Sequence, residues 1–216
     1  MKLGVAIPCY NKHIPKLLEL LECIEGQTRK PDAVCVSCSS TGPTEFPKLR
    51  DYGFPITVVT TEERLNTAKN RNIAARNLQT DIISFFDADD IMHPQRLELI
   101  ERAFTTEPCD MIVHGYLIDE ETKQQFETIT NANIHRNVLM KCWSGCLKLP
   151  FPGRIHHSQV SVAKHVCEKL QFPEEPAFER KEDSVFCNRV LDLPDIHTAY
   201  LPHPLSKYIE AKSWVS

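Results

Sequence analysis

Ile82-Ile83-Ser84-Phe85-Phe86-Asp87-Ala88-Asp89-Asp90 decides the architecture. The run Ile82–Phe86 is apolar but for Ser84 and has the length of a buried strand, and three carboxylates follow it at once. Carboxylates packed this closely repel one another unless a cation neutralises them. Hard divalent ions such as Mg²⁺ or Mn²⁺ prefer oxygen ligands and keep positions open for phosphate oxygens. A cation bridging one or two of these aspartates to a diphosphate would stabilise charge on a leaving group. A solvated acidic turn capping the helix after Pro94 would carry the same residues. The position at a strand end favours the cation site.

Upstream, strand and helix patterns alternate. The spacing predicts strands over Leu3–Ile7, stopped by Pro8, over Ala33–Val36 and over Ile56–Val59. It predicts helices opening at Pro15, with Leu17, Leu18, Leu21 and Ile24 on one face, over Asn66–Leu78, and from Pro94 with Leu97, Ile100 and Phe104 inward. Such alternation implies an α/β fold, a mostly parallel central sheet with helices on both faces. Ligands bind such sheets at the carboxyl ends of the strands, which brings together Pro8–Asn11, Ser37–Thr41 and Asp87–Asp90. Further on, Met111–Tyr116 reads as a strand, Ser161–Leu170 and Glu182–Leu191 as helices, and Tyr200–Tyr208 as a proline-broken tail. The polar stretch Lys123–Lys148 shows no clear period.

The 216 residues suit one domain, its strand–helix alternation regular over 1–110 and looser over 111–216. The chain lacks a clear terminal element, as one domain of a longer protein would. A formal charge of −4 argues against nucleic acid as a partner. No signal peptide and no apolar run long enough for a membrane span are visible. Nine scattered cysteines suit reduced thiols and a cytoplasmic location.

The whole stretch Asp81–Glu98 resembles the central motif of the family 2 glycosyltransferases, enzymes with the GT-A fold. Val5-Ala6-Ile7-Pro8-Cys9-Tyr10-Asn11 resembles that family's first strand, Lys69-Asn70-Arg71-Asn72 its Ala-Arg-Asn segment, and Glu182-Asp183 with Arg189 its Glu-Asp motif. The resemblance implies sugar transfer from a nucleotide diphosphate donor, a UDP-sugar such as UDP-glucose first, to a glycan or other hydroxyl acceptor, with 1–110 as the nucleotide-sugar-binding half and 111–216 as the acceptor-binding and catalytic-base half. It makes Asp89 the main ligand of Mn²⁺ or Mg²⁺, with Asp87 beside it on the metal or the donor ribose and Ala88 between them. Pro8, Tyr10 and Asn11 would line the nucleoside pocket. Arg71 would approach the base or diphosphate, a role its planar guanidinium suits, although the residues alone slightly favour a surface helix arginine. Asp183 would be the general base that deprotonates the acceptor, giving inversion at the anomeric carbon; acids also favour a first helical turn for the macrodipole alone.

One departure stands out. Where the family has an acidic pair at the end of its second strand, this chain has Ser37 and Cys38, weaker partners for a base. Among further candidates, His203, or the pair His156-His157, would supply a late metal ligand, against ordinary loop histidines. Cys35-x-x-Cys38 and Cys142-x-x-x-Cys146 have zinc-like spacing but lack a matching second pair, which favours free thiols. Trp143 and Trp214 would stack on sugars or pack in the core. Two alternatives remain: a nucleotide-sugar-binding module without activity, and a haloacid-dehalogenase-type phosphatase with Asp87 as nucleophile.

Overall fold

A computed structural model of the chain describes residues 1–118, 125–142 and 145–209. Strand β1 covers Leu3–Tyr10, β2 Ala33–Ser39, β3 Ile56–Thr61 and β4 Ile82–Phe85, and all four are parallel, in the order β3-β2-β1-β4. Beyond β4 comes β10 (Ser161–Ala163), antiparallel to both β4 and β6 (Met111–Ile118). Then β11 (Thr198–Tyr208) lies parallel to β6, with β5 (Ile91–Met92) and β7 (His135–Arg136) antiparallel on it. A separate hairpin pairs β8 (Met140–Lys141) with β9 (Leu147–Lys148). Strands from both halves of the chain therefore share one mostly parallel sheet.

Helices cover both faces. Against one face, α1 (Ile14–Glu25) and α3 (Arg96–Thr106) bury Leu17, Leu20, Leu21, Ile24, Leu97, Ile100 and Phe104 over Leu3, Val5, Ile7, Val34 and Val36. Against the other, α2 (Thr67–Arg76), α4 (Lys164–Lys169) and α5 (Glu182–Val190) set Ala68, Ala75, Val166, Phe186 and Val190 over Ala6, Cys35, Ile83 and Phe85. The period of two along β1 and β2 sends alternate side chains to these two cores.

Several boundaries differ from the sequence pattern. Leu20 rather than Leu18 completes the fully buried stripe of α1. Pro8 does not stop β1. Its neighbour on one side, Ser37, keeps pairing. On the other side Ala6 O takes the last bond from Phe86 N–H, at 3.0 Å. Pro8, two residues on, faces the side that β4 has just left, where no N–H is required. Ser161–Ala163 is a strand, not the start of a helix, because the slot between β4 and β6 claims it. The tail over Tyr200–Tyr208 belongs to β11, which absorbs Pro202 and Pro204 at two register shifts.

Arg96 fastens the sheet under the aspartate loop. It is fully buried at the start of α3. Its guanidinium donates to Ser84 Oγ at 2.6 Å, Phe85 O at 3.2 Å, Gln159 O at 2.8 Å and His114 Nε2 at 3.1 Å, and lies 4.9 Å from the Phe86 ring centroid. Burial with no carboxylate among these contacts pulls its pKa down to about 9. Replacing Arg96 by Ala would open a cavity and strand two backbone carbonyls. Urea unfolding of Arg96→Ala is expected to show a loss of about 3 kcal/mol or more.

Candidate active site

The carboxyl ends of β2, β1 and β4 lie side by side, and the residues following them form the site. The loop after β4 folds back on itself, Asp90 N–H donating to Asp87 O at 3.3 Å. Ala88 is buried in the core between the aspartates and anchors the loop.

Arg71 organises what surrounds it. The helix that carries it is capped by Asn66, whose side chain accepts Lys69 N–H at 2.9 Å. Asn70 and Asn72 point to β2 and to residue 172: Asn70 accepts Ser37 Oγ–H at 2.9 Å, and Asn72 exchanges bonds with the Phe172 backbone at 2.9 Å. Held this way, α2 directs Arg71 inward with its side chain only 3% exposed, so it is no surface arginine. Nη2 donates to both Asp87 oxygens, at 2.8 and 3.1 Å, and Nη1 to Glu182 Oε1 at 3.0 Å. Burial works against its charge, but Asp87, Asp183 and Glu182 outweigh it and raise the pKa above that of a free arginine. Arg71 Nε and Glu182 Oε2 are buried without a hydrogen-bond partner.

The three aspartates are not equivalent. Asp90 is 5% exposed, with Oδ1 taking Ile209 N–H at 3.0 Å and Oδ2 bonded by Gln159 Nε2. Burial, with Asp87 and Asp89 adding repulsion, pushes its pKa well above the carboxylate range. Asp90 thus serves the framework. Asp89 stays accessible at the loop, 3.8 Å from His13 Nε2, and burial and then Asp87 raise its pKa. Near Asp90, at 3.7 Å from Oδ2, stands His156, whose pKa burial drives down to about 3.

The remaining candidates divide. Tyr10 packs against His13 at 4.2 Å between ring centroids, at the mouth of the site, and Asn11 is exposed. Pro8, Ser37 and Cys38 are buried. Cys38 Sγ lies 3.3 Å from Thr41 Oγ1, and hydrogen bonding from Cys9 draws its thiol down to about 7 against burial. Asp183 sits in the first turn of α5, its Oδ1 accepting Ser184 N–H at 2.6 Å and Ser184 Oγ–H at 3.2 Å. His203 is not brought to the aspartates: its Nε2 accepts Asn133 N–H at 3.1 Å, and it lines a cavity of about 360 Å³ with His93 and residues 125–131, which includes no aspartate. Cys35 and Cys38 belong to opposite faces of β2 and cannot share a metal. Among the described residues no group of three or more His, Cys, Asp or Glu side chains is arranged to hold a metal. Trp143 and Trp214 lie outside the described residues. Sequence alone missed His13 and Gln159, which touch Asp89 and Asp90 from distant segments; no spacing marks them.

The "Glycosyl transferase family 2" sequence pattern matches residues 4–150 of this chain. The chain belongs to that family. An uncharacterized glycosyltransferase of Haemophilus influenzae is 25% identical over 126 residues, which is 53% of this chain and 42% of its own. Among solved structures, S. aureus TarS 1–349 superposes with a TM-score of 0.68 at 14% identity, covering 97% of this chain and 60% of that one. The same TarS region in complex with UDP-GlcNAc gives 0.66 at 15% identity, covering 97% and 59%. The fold is the GT-A fold of this family, which sets aside a dehalogenase-type phosphatase. The chain spans about three-fifths of the TarS region and less than half of the Haemophilus relative. No helix among the described residues is long and apolar enough to cross a membrane.

His156 makes the fold sensitive to acid. In the unfolded chain its imidazole takes a proton near pH ~6.5, but in the folded protein only near 3. Between those values the unfolded state binds more protons, so the stability present above ~6.5 is lost as pH falls. Asp90, raised instead, holds a proton in the folded state that the unfolded chain releases, and so offsets part of that loss. The urea midpoint is expected to drop from about pH 7 to about pH 5, with a shallower drop in His156→Gln.

Proposed function

We propose that this domain transfers a sugar from a nucleoside diphosphate donor to an acceptor hydroxyl, with inversion at the anomeric carbon. The observation that carries this is the buried Arg71 clasp. One guanidinium holds Asp87, on the donor side, and Glu182, next to Asp183, so the donor loop and the candidate base meet at one place. UDP-sugars are the first choice of donor, since TarS has been crystallised with UDP and with UDP-GlcNAc. Glucose is one candidate for the sugar, and a glycan hydroxyl for the acceptor. The domain would work in the cytoplasm, its 1–110 half taking the donor and its second half the acceptor, as part of a longer protein.

The residues present fit a divalent cation of the Mn²⁺ or Mg²⁺ type. Asp89 and Asp87 lie at a strand end, Asp89 raised by burial and by its neighbour, with His13 3.8 Å away and the Arg71 charge opposing that rise without cancelling it. Two carboxylates are enough for an ion that takes its other ligands from phosphates and water. Bound there, the cation would offset the charge of the diphosphate.

The chain's own groups account for the rest. Tyr10, Asn11 and Pro8 border the nucleoside side. Ser37 and Cys38 are turned inward, to Asn70 and Thr41, so they shape the pocket floor through β2. Arg71, held by two carboxylates through Nη1 and Nη2, orients Asp87 and α5 rather than reaching freely for phosphate. Asp183 accepts the acceptor's hydroxyl proton, the acceptor oxygen bonds to the anomeric carbon, and the bond from that carbon to the phosphate oxygen breaks, releasing the nucleoside diphosphate. A binding module without transfer is the second reading, favoured by the inward turn of Ser37 and Cys38, which leaves the base without the family's acidic contact.

Calorimetry with UDP, GDP and dTDP is expected to show tightest binding of UDP, with Mn²⁺ required. Affinities unchanged by EDTA would remove the cation role, and Asp89→Ala should weaken nucleotide binding and abolish transfer while the fold survives. For the base, Asp183→Asn is expected to lower turnover by roughly 10²–10⁴-fold with donor affinity nearly unchanged, measured with a radiolabelled UDP-sugar. Preserved turnover would reduce Asp183 to a helix-turn acid. No product from the wild-type domain would favour the binding module.

A further inference from the structure

Two cysteines that the proposed transfer leaves unused face each other across the hairpin of β8 and β9. Its register sets Met140 opposite Lys148 and Lys141 opposite Leu147, and Cys142 and Cys146 adjoin the last of these pairs at the turn end of the hairpin. Cys142 N–H donates to Cys146 O at 2.9 Å, and Gly145 N–H to Cys142 O at 3.0 Å. Gly145 adopts φ +88°, with open space where a Cβ would stand, and this left-handed residue lets the chain turn back. Residues joined by such a bond between antiparallel strands have Cα atoms roughly 5.5 Å apart. That separation lies inside the range of roughly 4.4–6.8 Å found for disulfide-bonded pairs.

The hairpin is fastened from outside as well. Leu147 is buried and donates its N–H to His157 Nε2 at 3.1 Å, Asn188 Nδ2 donates to Cys146 O at 3.3 Å, and Lys141 pairs with Asp192. The other thiols are placed differently. Cys9, Cys35, Cys38, Cys109 and Cys187 are buried, and the half-buried Cys23 and Cys167 pack against opposite cores of the sheet. Cys142 and Cys146 are both half-buried.

We propose that Cys142 and Cys146 form a reversible dithiol–disulfide site whose co-reactant is a small-molecule disulfide of the glutathione type. The site does not depend on the proposed sugar transfer. The thiolate of one cysteine attacks a sulfur of the small disulfide, whose S–S bond breaks and releases one small thiol. The second cysteine then attacks the protein sulfur of the mixed disulfide and expels the other small thiol. The two protein thiols lose two electrons and two protons, and the small disulfide gains them as two thiols.

The folded protein, equilibrated in glutathione buffers of graded ratio, quenched by alkylation and digested with trypsin, tests this directly. Cleavage after Lys141 and Lys148 leaves both thiols in one peptide. The expected product is that peptide lighter by two hydrogens and without alkyl groups. Half-oxidation should need roughly tenfold less oxidising buffer in the folded protein than in urea, because the fold already holds the pair together. Cys146→Ser should stop at a stable glutathione adduct on Cys142. Two alkylated thiols, a bond between Cys9 and Cys38 instead, equal oxidation in urea, or no adduct on the variant would each overturn the site.

Discussion

A guanidinium taken out of water must find counter-charges within reach, and Arg71 finds them on two segments far apart in the chain. Asp87 belongs to the loop that ends β4, and Glu182 opens α5, 111 residues beyond Arg71. With its side chain 3% exposed, the cation has nowhere else to go, so the loop and the helix are held at a fixed separation. Every other assignment at the site rests on that arrangement. It aims Asp87 and keeps α5, with Asp183 in its first turn, close to the guanidinium, while Asp87 and Asp89 stay half-buried and Asp90 is enclosed.

Beneath this clasp a second buried arginine does a different job with different partners. Arg96 reaches a hydroxyl, two backbone carbonyls and a neutral histidine. It binds β4, β6 and the approach to β10 into one sheet, where Arg71 binds charge to charge across the mouth. Removing either would leave buried polar groups unpaired, but of the two only Arg71 pairs with an aspartate of the loop after β4.

Much of this was legible in the residues. The apolar run into Asp87–Asp90 has one plausible place in an α/β sheet, and the first four strands and their helices follow from period and length. The burial of Arg71 was not legible, since one of its two partners, Glu182, lies 111 residues away and nothing local distinguishes Arg71 from a solvated helix arginine. The strand over Ser161–Ala163 was hidden because its side chains also suit a helix start, and the gap between β4 and β6 decides the matter. Pro202 and Pro204 disguised β11, whose register shifts exist to seat them. The shared fate of the aspartates was also misleading: spacing groups Asp90 with Asp87 and Asp89, and only the Ile209 and Gln159 contacts separate it.

The antiparallel strand β10 has a consequence for the order in which the molecule assembles. It is the sole link between the sheet's β3-β2-β1-β4 portion and its β6-β11 portion on the hydrogen-bonded path among the described residues. A chain emerging from the ribosome has made β1 to β6 well before residues 161–163 appear, and until then β4 and β6 have no ladder between them. Their exposed inner edges are the kind that pair with the wrong strand, so this stretch of synthesis is when the nascent chain is most open to misassociation. The few residues of β10 close both edges at once, and their pairings span some eighty positions to β4, which makes closure a late and non-local event.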